Sequence, residues 1–133
     1  MGLKVSDIIQ LKGETIVEIG GCEKDSRYIY FILQDGSKVD MYHEQDCCEI
    51  VTVEDVCGNP DNLLNSPILM AEEANYHNAT PLEKELPEGH YSFTWTYYKL
   101  ATIKGYVTIR WFGSSNGYYS EKVTIESNEE EGE

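Results

Sequence analysis

The side chains best suited to metal or nucleophile chemistry are Cys22, Cys47, Cys48, Cys57, His43, His77 and His90. His43, Cys47, Cys48 and Cys57 lie closest together, but the spacing His-x3-Cys-Cys-x8-Cys lacks the Cys-x2-Cys knuckle that sets two thiolates on one zinc ion. Neighbouring cysteines on a strand also point to opposite faces, so buried structural cysteines are the simpler expectation. A thiol nucleophile is disfavoured because Glu44, Asp46 and Glu49 raise a nearby thiol pKa. Glu72 and Glu73 diverge on a strand and make no acid/base pair. No Walker-type loop or dinucleotide-binding glycine pattern occurs, and the three histidines sit in unrelated segments. The expectation is a protein that is not an enzyme, with no catalytic residue, no metal and no cofactor.

Binding chemistry concentrates instead between Tyr91 and Glu126. That stretch holds both tryptophans, two of the three phenylalanines and six of the ten tyrosines. In the loop Gly113-Ser114-Ser115-Asn116-Gly117-Tyr118-Tyr119-Ser120, small residues let backbone amides turn inward, an arrangement that binds phosphate without net positive charge. Arg110 lies just before it and offers a bidentate, charge-assisted contact. Tyr118, Tyr119, Trp111 and Phe112 are candidates for stacking on a base. The plainer reading is a hairpin turn whose tyrosines cover the core rim, with Arg110 paired to Glu121.

These residues need a β scaffold. Phe93, Trp95 and Tyr97 point one way and Thr94, Thr96 and Tyr98 the other, so the sequence predicts a strand with aromatic or β-branched side chains on both faces, in a three-stranded meander turning at Lys104-Gly105 and at Ser114 to Gly117. A first meander is predicted from Thr15–Gly20, Arg27–Leu33 and Ser37–His43, with Asp35-Gly36 as a primed turn. Between them, Cys48–Val53 alternates like a strand and Asp61 is a candidate N-cap for one helical turn. Residues 67–74 read as a strand or short helix, and residues 75–90 as a surface loop. The fold class is α+β, mainly antiparallel β: two β-meanders joined by an irregular segment with one or two short helices. Residues 1–126 form a single ligand-binding domain and 127–133 a disordered acidic tail.

The formal charge of −14 makes nonspecific binding to duplex nucleic acid by counterion release improbable. Unpaired cysteines without a signal-like segment point to a reducing cytoplasm, and no apolar run is long enough to anchor the chain in a membrane.

The blocks MYHEQDCCEIVTVEDVCGNPDNLLNSPILMAEE and SFTWTYYKLATIKGYVTIRWFGSSNGYYSEKV, about half the chain, resemble small phage and prophage proteins, the Thoeris anti-defence sponges of the first type. The resemblance implies a protein that sequesters cyclic ADP-ribose isomers, with cyclic oligonucleotides as a further ligand class, in the cytoplasm of an infected bacterium. It implies homodimers or higher homo-oligomers with pockets between protomers. The ligand-binding candidates are Arg27, Phe93, Trp95, Tyr97, Arg110, Ser114, Ser115, Asn116 and Tyr118, with Arg27, Arg110, Asn116 and the nearby aromatics supported by that likeness. The rival from another class is an acidic, DNA-mimicking inhibitor of a host defence protein, which would spread Asp and Glu over one face. A third reading, an enzyme that cleaves cyclic nucleotides, would want a metal cluster or a histidine dyad.

Overall fold

Apolar residues alternate along most of this chain, and alternation buries one face of a strand. The computed structural model describes residues 5–78 and 85–129 and contains eight strands: β1 Ile16–Gly20, β2 Tyr28–Leu33, β3 Ser37–Tyr42, β4 Ile50–Cys57, β5 Met70–His77, β6 Ser92–Thr102, β7 Gly105–Ser115 and β8 Thr124–Glu129. They form two four-stranded antiparallel sheets, ordered β1-β2-β3-β8 and β4-β7-β6-β5. One core joins them: Ile29, Phe31, Val39 and Met41 from the first sheet meet Val53, Tyr98, Ile109 and Trp111 from the second. The fold is mainly antiparallel β. Its helical component, among the described residues, is two 3-10 turns, Ile8–Leu11 and Pro60–Leu63.

The first meander, β1 to β3, forms as the alternation requires. Its hairpin differs from the expected primed turn. Gly36 N–H donates to Leu33 O at 2.9 Å, and Gly36 alone of the turn residues has a positive φ, 93°. A primed two-residue turn needs positive φ at both central positions; a turn closed by one left-handed glycine needs only that glycine.

The aromatic segment is corrected more deeply. β6 and β7 form the expected hairpin, from Ser92↔Ser115 to Thr102↔Gly105, but the third strand leaves. β4 already occupies the other edge of β7, from Ile50↔Ser114 to Cys57↔Thr108. β8 therefore crosses to the free edge of β3, where Met41 faces Ile125, and Val123 and Ile125 are buried. The tail expected to begin at residue 127 is in β8 as far as Glu129; residues 130–133 lie outside the described residues. The stretch read as strand or short helix is strand from Met70 on, and β5 continues to His77 into the region read as loop. The cap of the second 3-10 turn is Asn59, whose Oδ1 accepts from Asp61 N–H, and not Asp61 itself.

Cys47 and Cys48 sit on a bend before β4 and are joined as a vicinal disulfide. This overturns the expectation of strand cysteines pointing apart: off a strand, the two side chains are not forced to opposite faces. Cys22 and Cys57 are free, and burial, with Glu23 adding to it, pushes the Cys22 thiol up to about 11. Among the described residues, no helix is long and apolar enough to cross a membrane, and no group of His, Cys, Asp and Glu could hold a metal ion.

Candidate ligand-binding face

Pairing registers decide which aromatics share a surface. Directly paired residues of adjacent strands lie on the same face. Trp95↔Phe112, Tyr97↔Arg110 and Phe93↔Ser114 therefore share the outer face of the second sheet, while Trp111, paired with Thr96, turns inward. Trp111 is wholly buried in the core and cannot stack on a ligand. β5 extends the outer row through Tyr76↔Trp95 and Ala74↔Tyr97.

The row is packed by ring contacts. Phe93 stacks on Phe112 with centroids 6.0 Å apart, Trp95 lies 4.5 Å from Phe112, and Tyr76 meets Tyr97 edge-on at 5.7 Å. Arg110 Cζ stands 5.2 Å from the Trp95 ring centroid, a cation–π pairing. A bulge in β4 between Val53 and Asp55 shifts the strand's alternation, so Asp55 pairs with Arg110. The resulting ion pair is loose, with Arg110 Nη2 3.9 Å from Asp55 Oδ2, and Arg110 Nε is buried with no hydrogen-bond partner. The guanidinium is held in place by stacking while donor capacity stays unused.

One end of the row is closed. The His90 ring lies 2.7 Å from Ser114 Oγ through Nδ1 and 3.1 Å from Cys48 O through Nε2, tying the Cys47–Cys48 bend to β7. The same bend is fixed by Glu49, whose carboxylate receives His43 Nε2 at 2.8 Å and the amides of Asp46 and Cys47. Burial raises the Glu49 pKa, but His43 and the backbone amides outweigh it and bring the carboxyl down to about 2. His43 Nδ1 also meets Lys122 O at 2.6 Å.

The loop after β7 is not an open amide nest. Ser114 and Ser115 are buried at the end of β7 and face opposite sides. Ser115 Oγ donates to Glu121 Oε2 at 2.6 Å and accepts from Gly117 N–H. Asn116 Oδ1 caps Tyr118 N–H, and the Tyr118 side chain is 84% exposed beside Tyr119. Arg27 stands exposed on the bend before β2, in the other sheet's connections. The structure thus brings Phe93, Trp95, Tyr97, Arg110 and Ser114 onto one face, and sets Arg27, Ser115, Asn116 and Tyr118 apart from it. Glu121 belongs to the opposite face, so the acidic neighbour of Arg110 is Asp55.

Sequence reading missed Asp55, Tyr76 and His90. Strict alternation through Arg110, Phe112 and Ser114 separates Phe112 from Trp111; the bulge that delivers Asp55 has no comparable signature. The histidines, remote in sequence, each hold a different part of the β7 end and the segment after it: His90 meets Ser114, His43 meets Lys122 O, and His77 lies 3.7 Å from Glu121 on the opposite face.

The chain is thus an antiparallel two-sheet domain with an aromatic and arginine-bearing outer face. The family described as a domain of unknown function (DUF7448) matches residues 9–125, and the chain belongs to that family. No curated protein and no solved structure matches it.

Proposed function

We propose that this protein is a non-catalytic binder that sequesters a cyclic nucleotide signal of the cyclic ADP-ribose type, as the resemblance to the Thoeris anti-defence sponges implies, in the cytoplasm of an infected bacterium. The observation that supports this most is Arg110, stacked on Trp95 within an aromatic row and only loosely paired with Asp55. Adenine stacking on such a ring contributes about 1–3 kcal/mol, and an arginine fork suits a pyrophosphate. Lys99, two residues from Tyr97 on the same strand face, adds a second positive group against the acidic background. Phe93, Trp95, Tyr97 and Arg110 form the binding surface; Arg27, Ser115, Asn116 and Tyr118 enter only if a second protomer brings them to it. The exposed Tyr76 and Ile50 beside the row suit such a homodimer contact.

Sequestration needs slow release and no turnover. The test is to incubate the protein with cyclic ADP-ribose isomers and cyclic oligonucleotides, remove free ligand by filtration, denature by heat and analyse what is released. Intact ligand supports the proposal. Altered ligand makes the protein an enzyme, and no ligand with any member of the panel favours a protein-binding inhibitor.

A further inference from the structure

The β6–β7 ribbon carries a second concavity on its inner side, beyond the end of the shared core. Glu73, Asn75 and Thr94 form one wall; Tyr119, Glu121 and Lys122, from the segment folding back after β7, form the other. The cleft holds about 380 Å³, within the size range of small-molecule sites. Gly113 makes room for the returning segment: a Cβ there would sit 3.0 Å from Glu121 O and 3.1 Å from Glu121 Cβ.

Glu121 is the fixed point of this cleft. Its side chain is 5% exposed; one oxygen accepts from Thr94 Oγ1 at 2.7 Å and the other from Ser115 Oγ at 2.6 Å. Thr94 spends its only proton on Glu121, so His77 Nδ1, 2.9 Å away, is the donor to Thr94 Oγ1. On the facing strand, Asn75 Nδ2 donates to Glu73 Oε2 at 2.8 Å and Asn75 Oδ1 accepts from Thr96 Oγ1 at 2.8 Å. Planar polar groups are thus held in set orientations around an open space.

We propose that this cleft binds a neutral, hydroxyl-rich ring of monosaccharide size. A sugar hydroxyl donates and accepts at once, and the lining offers both: carboxylate acceptors at Glu73 and Glu121, and an ammonium donor at Lys122. Glu121 already holds two hydroxyl groups, those of Thr94 and Ser115, and its oxygens retain lone pairs for more. Lys122 in the same lining disfavours a simple cation, and Tyr119 adds an aromatic ring for the apolar face of a sugar. Thr94 points away from the Arg110 row, so this site stands independently of the nucleotide reading.

The test is titration of isotope-labelled protein with D-ribose, D-glucose and D-mannose in turn, following backbone amides, with spermidine as the cationic control. At least one sugar is expected to shift the amides of residues 73–77 and 117–122 saturably at millimolar concentration. Glu73→Gln and Tyr119→Ala should each raise the apparent Kd at least tenfold without lowering Tm, while Arg110→Ala leaves it unchanged. Absence of a saturable shift with all three sugars overturns the proposal. So do shifts that persist in both cleft variants, or saturation of these amides by spermidine alone.

Discussion

Glu49 shows how a single carboxylate can organise a site edge. It gathers His43 and the amides of Asp46 and Cys47 onto one buried group, and so fixes the bend that carries the vicinal disulfide. Its pKa in the fold, about 2, lies below the ordinary 4.5. A carboxyl depressed on folding contributes stability that is whole above its unfolded pKa and is lost as pH falls through the folded value. Wild-type Tm is therefore expected to drop between about pH 4.5 and 2. Glu49→Gln should flatten that part of the profile and cost about 1–3 kcal/mol at neutral pH, from amides left poorly paired. An unchanged acid slope in the variant would assign the loss to other carboxylates. At this scale the sequence was partly legible: Phe93, Trp95 and Tyr97 do share one side of β6, as their alternation predicts. It could not name Asp55, because a bulge resets parity, nor the pairing of Cys47 with Cys48, because that depends on the bend and not on a strand.

At the scale of elements, Gly113 in β7 permits the close approach of the returning segment. Gly113 lies directly against Val51 Cγ2 and the Glu121 backbone, each 3.0 Å from a hypothetical Cβ. Replacement by Val overpacks this contact and is expected to cost about 1–3 kcal/mol, while moving the amide resonances of residues 117–122. A Val variant with wild-type stability and spectra would mean that the returning segment is loosely held. The strands of the first meander and the β6–β7 hairpin were readable from alternation; the run of β5 to His77, in a stretch read as strand or short helix and then loop, and the exchange of β8 into the first sheet were not. Nothing local to residues 124–129 records that β4 has claimed the far edge of β7, since strand order is fixed by long-range competition for edges. Likewise the seryl loop reads as an anion nest by composition, and only the folded chain shows Ser115 turned in to Glu121.

For the whole molecule, the aromatic outer face is the surface proposed to meet a second copy of the chain. Tyr76 is 51% exposed and Ile50 37%, next to the Arg110 row. Apolar patches of this kind mark contact surfaces, and soluble assemblies favour two-fold symmetry. A mass near twice 15.2 kDa, or a multiple of that, is expected from light scattering at micromolar concentration. A monomer at all concentrations would leave the row to the ligand alone and separate Arg27 from it.

The central claim, that the Arg110 row binds a cyclic nucleotide, is tested most directly by thermal shift of wild type and Arg110→Ala with cyclic ADP-ribose isomers. At a ligand concentration a hundredfold above Kd, binding adds about 2.7 kcal/mol to wild-type stability, a rise in Tm of several degrees. Arg110 is only loosely paired with Asp55, so the variant should melt within a few degrees of wild type when unliganded and lose at least tenfold in affinity, with its shift shrinking accordingly. An unliganded variant that melts much lower, or a wild type that no cyclic ADP-ribose isomer stabilises at saturating concentration, would contradict the account.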